Sequence, residues 1–138
     1  MITKAGRAVR SNKTGLGILA VSAALRAWSY SSWALNQSRD PVHWLEGLTT
    51  PMVWGIVWAC TSLLLIVAMA ADKLVPVAVG IVISMHAAWC VSFAWQTLIG
   101  ESSRAWVTAI GYGSTALLVL WSFSRAYPSV RIDLDRRE

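Results

Sequence analysis

Charge is scarce in this chain. Acidic and basic residues make up 14% of its 138 amino acids, against roughly 25% in ordinary soluble domains. None lies between Met52 and Ala71, between Val75 and Leu98, or between Ala105 and Ser124. Runs of that kind cannot build a water-facing surface. Cysteine is also rare: Cys60 and Cys90 each sit in an apolar run, where a free thiol behaves as a small hydrophobe, so no disulfide framework is expected. Every long apolar run lacks Asp and Glu, which removes the usual proton-coupling carboxylate of small multidrug exporters. Phosphate loops, nucleophile triads, paired carboxylates and zinc-protease motifs are missing too, so no enzymatic activity is expected. A single histidine, His86, lies in those runs, which argues against haem held by two histidines of one chain, and no cofactor is expected.

Apolar residues are abundant, at 56%, and they are gathered rather than scattered. A hydrocarbon core about 30 Å thick requires about 20 helical residues, because unpaired backbone groups are too costly there. Four windows qualify, at about 16–35, 52–71, 75–98 and 105–124. The expected fold is all-α, an integral membrane four-helix bundle forming one domain over 1–138, with a basic tail at 1–14 and a charged tail at 125–138. The first window is the most polar, since Arg26 costs about 2.5–3.5 kcal/mol at a helix centre on the insertion scale. Its basic start followed by "GLGILAVSAAL" also matches the layout of a secretory signal. Apolar and aromatic residues continue to Leu35, which favours a retained helix.

Lys and Arg accumulate on the cytoplasmic side of membrane proteins. Nine of them here (Lys4, Arg7, Arg10, Lys13, Lys73, Arg125, Arg131, Arg136 and Arg137) would share one side of a four-crossing chain, and only Arg39 and Arg104 the other. Both termini are therefore expected in the cytoplasm of a bacterial cell, with loops 36–50 and 99–104 outside. The net charge of +5 is best matched by anionic lipid headgroups rather than nucleic acid, because the basic residues flank membrane-length runs. In "RDPVHWLEGL", Asp40 suits an N-cap, Pro41 a first helical position and Gly47 the residue past the end, predicting a short interfacial helix that lays Trp44 and Leu45 on the membrane. The brief turn at Asp72-Lys73 forces an antiparallel hairpin.

Nine tryptophans are present, and all but Trp121 fall in the outer half of this arrangement or its outer loop. They form either an anchoring belt or a vestibule and contact surface, for which Trp44, Glu46, Trp54, Trp58 and Trp95 are candidates. Arg26 is expected near the midplane with no carboxylate in any span to neutralise it. It either snorkels toward Trp28, Tyr30, Trp33 or Trp58, or lines a water-filled path or subunit seam; His86, near the midplane of the third run, is the other polar candidate. Cys60, His86 and Cys90 fall at similar depth and are zinc or copper ligand types, but with no carboxylate and no repeated spacing they read as packing residues, and no metal is expected. Small residues recur at close-packing intervals in Gly80–Ser84 and Ala109–Gly113.

The stretch "DPVHWLEGLTTPMVWGIVWACTSLLLIVA" joins a Pro-containing loop and a Trp-Leu pair to Thr-Pro and a span opening Trp-Gly-x-x-Trp. It resembles small four-span membrane proteins of actinobacterial bacteriophages, of the holin-like kind, over roughly the first half of the chain. That resemblance implies a protein that oligomerises in the cytoplasmic membrane and permeabilises it during lysis. Two other roles are compatible with the residues: a membrane-resident interaction protein with a host or phage partner, as in superinfection exclusion, and a small transporter.

Overall fold

The computed structural model describes residues 4–34, 36, 38, 40–100 and 102–126. Among these are four α-helices, α1 (Lys4–Ser29), α2 (Pro51–Ala70), α3 (Val75–Leu98) and α4 (Ala105–Ala126), and no strand. Short 3-10 turns occur at Glu46–Leu48 and Asp72–Leu74. Three of the helical segments, Pro51–Ala70, Asp72–Leu98 and Ala105–Arg125, are long and apolar enough to cross a membrane.

The limits of α2 and α3 follow from local chemistry. Thr50 is extended and Pro51 takes the first helical position, where its missing N–H costs nothing. After α3, Gly100 adopts φ +77° and its N–H bonds the Thr97 carbonyl, the left-handed exit that glycine makes cheap.

α1 departs from the expected 16–35 window. It begins within the basic segment, at Lys4, and ends at Ser29. Beyond Ser29 the serines compete with the helix: Ser29 Oγ bonds the Arg26 carbonyl at 2.7 Å, and the backbone turns through Ser31 N to Trp28 O at 2.9 Å. The uncharged stretch between Lys13 and Arg26 spans twelve residues, about 18 Å of helix against about 30 Å of hydrocarbon. That shortfall sets α1 apart from the other three.

Two antiparallel pairs make up the bundle. α1 lies against α2, with Ser62 Oγ donating to the Ala20 carbonyl at 2.8 Å and Gly55 close beneath Tyr30 and Ala27. α4 lies against α3, where a Cβ on Gly113 would stand 3.0 Å from Cys90 Sγ. The pairs meet mainly through α2 and α3, as the tight Asp72–Leu74 turn requires. Leu16, Ala20, Leu65, Ala68, Ala78 and Val82 fill the core. Apolar side chains also dominate the exterior, including Leu63, Ile66, Val91, Ile110, Leu117 and Leu118.

The loop before α2 also differs from expectation. Instead of a helix started by Asp40 and Pro41, it forms a single 3-10 turn that contains Gly47. Glu46 N–H and Gly47 N–H both reach the His43 carbonyl, at 3.0 and 3.2 Å, because His43 is drawn inward and the chain curls around it.

Candidate functional site

Beneath that loop lies a buried cluster of polar and aromatic side chains, built on one stripe of α3. His86, Trp89, Ser92 and Gln96 recur at helical spacing, and all four are buried. Ser92 carries the upper part. Its hydroxyl accepts from Leu45 N–H at 3.4 Å and lies 2.8 Å from His43 Nδ1. Glu46 N–H also points at His43 Nδ1, at 3.3 Å, so that nitrogen is the acceptor, the ring proton sits on Nε2, and Ser92 donates. Glu46 closes the arrangement: its Oε2 accepts from Val42 N–H at 2.7 Å and its carbonyl accepts from Trp54 Nε1 at 3.3 Å. Ser92 thus ties the loop to α3 and Trp54 ties it to α2 through the Glu46 main-chain carbonyl, while the Glu46 carboxylate closes the loop on itself.

Aromatic rings continue inward from this latch. His43 packs on Phe93 at 4.4 Å and edge-on to Trp89 at 5.8 Å. Trp89 meets Trp54 and Trp58 edge-on, at 4.6 and 5.5 Å, and Trp58 meets His86 at 5.5 Å. Tyr112 of α4 completes the group, stacked on Phe93 at 5.8 Å and tilted against His86 at 5.7 Å. His86 is in the opposite tautomer to His43, because its Nδ1 lies 2.8 Å from the Val82 carbonyl, which can only accept.

Arg26 enters this group from α1. Its guanidinium carbon is 4.3 Å from the Tyr112 ring centre and 5.2 Å from that of Trp58. Trp58 and Tyr112 each stand seven residues into their helices, which puts the charge about 10 Å from the loop end of the bundle. Two desolvated cation–π contacts at up to about 2 kcal/mol each are comparable to the insertion cost of about 2.5–3.5 kcal/mol. The rings offset the charge. Arg26 Nε, Trp58 Nε1, Trp89 Nε1 and His86 Nε2 are nevertheless buried without a hydrogen-bond partner.

The residues singled out from sequence separate into four groups. Arg26, Trp58 and His86 converge in the cluster, with Glu46 and Trp54 at its upper edge. Trp44 and Trp95 stay half exposed, at 49% and 52%, beside a cavity of about 320 Å³ that Pro41, His43 and Gln96 also line. Glu46 and Trp58, grouped with them as outward contacts in the sequence reading, are buried at 2% and 0% exposure. Of the small-residue faces, Ala109 and Gly113 serve the α3–α4 contact, whereas a Cβ on Gly80 would meet nothing within 4 Å and Ser84 is exposed. Cys60 is exposed and Cys90 lies against Gly113, and no metal-binding group of His, Cys, Asp and Glu forms among the described residues.

His43, Ser92 and Tyr112 were missed. The stripe on α3 was readable as period, but the partner of Ser92 lies in a loop, where no period operates. No family model matches the chain, and no curated protein or solved structure matches it.

Replacing Ser92 with alanine strands Leu45 N–H and removes one of the two donors to His43 Nδ1, leaving only Glu46 N–H. We expect a loss of about 1–3 kcal/mol and earlier proteolytic cleavage in the 36–50 loop, read by unfolding in micelles and by limited proteolysis. The exposed Ser84→Ala serves as control and stays within about 0.5 kcal/mol.

Proposed function

We propose that this is a phage-type integral membrane protein that works by self-association in the bacterial cytoplasmic membrane, most concretely by holin-like permeabilisation. Both termini lie in the cytoplasm, with α1 as a fourth crossing. One observation carries the reading: apolar side chains cover the exterior, while Arg26 and His86 lie where the two helical pairs meet, with Ser92 and Gln96 further along the same α3 stripe beneath the loop. Parting the pairs would turn those groups toward water. Association of several copies would then stabilise an opening lined by polar residues and walled by apolar ones. The open Gly80–Ser84 face of α3 is available for such contacts.

A second reading is favoured by the half-exposed Trp44 and Trp95 around the loop-end cavity, the composition of a contact surface. In that case the protein engages a host or phage membrane partner, as in superinfection exclusion.

Inducing the full chain alone in a bacterial host distinguishes the two. Holin-like action predicts abrupt loss of membrane potential after accumulation. Sustained growth with an intact potential at high expression refutes it, and resistance of those cells to related phage supports the second reading.

A further inference from the structure

We propose that His43 makes the loop latch sensitive to acid: a second proton on its ring releases the loop around it from α3. The inference rests on the hydrogen bonds of the latch and is independent of both functional readings above. Two donors are aimed at His43 Nδ1, the Ser92 hydroxyl at 2.8 Å and Glu46 N–H at 3.3 Å. Both need the lone pair on that nitrogen. A proton there removes it and sets a third donor against the other two. Ser92 can turn its hydroxyl and accept instead, but the backbone N–H of Glu46 cannot reverse, and it would stand N–H to N–H against the ring.

The surroundings offer an imidazolium little in return. His43 is only 2% exposed. α3 presents Trp89, Ser92 and Phe93 to it, and α2 reaches this level with Trp54, which bonds the Glu46 carbonyl. Tyr112 of α4 and His86 of α3 stand behind those rings, with the Arg26 guanidinium over Tyr112. At the start of α4, Arg104 lines a cavity with Pro41 and Val42 and adds further positive charge. The loop itself carries the exposed Asp40 and the buried Glu46. Glu46 Oε2 already accepts from Val42 N–H at 2.7 Å, so turning that carboxylate to the ring gives up a bond that shapes the loop.

The sign follows from linkage. The closed latch holds a singly protonated ring, whereas an open loop in water holds either form, so acid favours opening. The latch is at full strength above the range in which a free histidine titrates, near about pH 6.5, and weakens below it. Opening also takes apart the cavity of about 320 Å³ at the loop end, because His43, Trp44 and Gly47 line it from the loop and Trp95 and Gln96 from α3.

The test is hydrogen exchange of the full chain in mild detergent between about pH 7.5 and about pH 5, corrected for the intrinsic pH dependence of exchange. Protection of peptides covering Leu45 and Glu46 should fall about tenfold per pH unit below the histidine range, while the middle of α2 and α3 stays protected. His43→Gln cannot titrate, yet its side-chain carbonyl can still accept from Ser92; its loop protection should be flat across the same range, whatever its starting level. Unchanged loop protection in the parent overturns the proposal. So does an equal fall in the parent and His43→Gln, since another group is then titrating, and so does a loss shared equally by α2 and α3, since the whole fold is then opening.

Discussion

Trp58→Ala is expected to destabilise the protein by about 3 kcal/mol, the low end of the 3–5 kcal/mol for a tryptophan truncated in a soluble core. Trp58 is wholly buried and touches α1 through Arg26 and α3 through both His86 and Trp89. The low end applies because lipid is as apolar as the cavity left behind, so the loss is of dispersion, edge-on ring contacts and the cation–π contact rather than of transfer from water. Removing the ring also strips Arg26 of one of its two aromatic partners. Denaturant titration in micelles measures the effect. Trp58→Phe should cost much less, because the indole N–H it deletes has no hydrogen-bond partner. A change below about 1 kcal/mol for Trp58→Ala would show that the cluster does not hold the two helical pairs together.

Arg26→Met separates stability from action. Losing the charge lowers the insertion cost by about 2.5–3.5 kcal/mol, and losing the contacts to Trp58 and Tyr112 forfeits a similar amount, so folding stability should change by only about 1 kcal/mol. Under the proposed permeabilisation, membrane depolarisation by the parent should, by contrast, be lost in Arg26→Met at equal expression. Arg26 is the cation where the helical pairs meet, and in the proposed action an opening lined without it would wet poorly. Arg26→Lys should act in between, keeping the charge while losing the planar group that lies over two rings. Full depolarisation by Arg26→Met would confine the arginine to setting the depth of α1.

Much of the helical layout was legible. The uncharged runs at 52–71, 75–98 and 105–124 nearly coincide with α2, α3 and α4, because a run free of charge and long enough for hydrocarbon has few alternatives to a helix. The first run misled at both ends. Hydropathy places a helix by its apolar content, whereas α1 extends back through a basic segment that is polar yet helix-competent, and its forward limit is imposed by serines bonding to the backbone. The loop misled for a related reason. Asp40, Pro41 and Gly47 carry helix-boundary chemistry, but the burial of His43 against Ser92 outweighs it.

The candidate site was half readable. Arg26 and His86 stood out because ionisable groups are rare in apolar runs, and Trp58 was named among the aromatic partners for the arginine. Tyr112 was not, since nothing local to α4 reveals that it faces α1.

Composition and run length by themselves determined that the chain is helical and carries segments suited to a bilayer, because those properties are summed along the backbone. Only the tertiary structure decided which tryptophans turn inward, that Glu46 is buried in the loop latch, and that the lone arginine rests between rings of α2 and α4. Such choices depend on which helix faces meet, and faces are matched by packing between segments far apart in the chain.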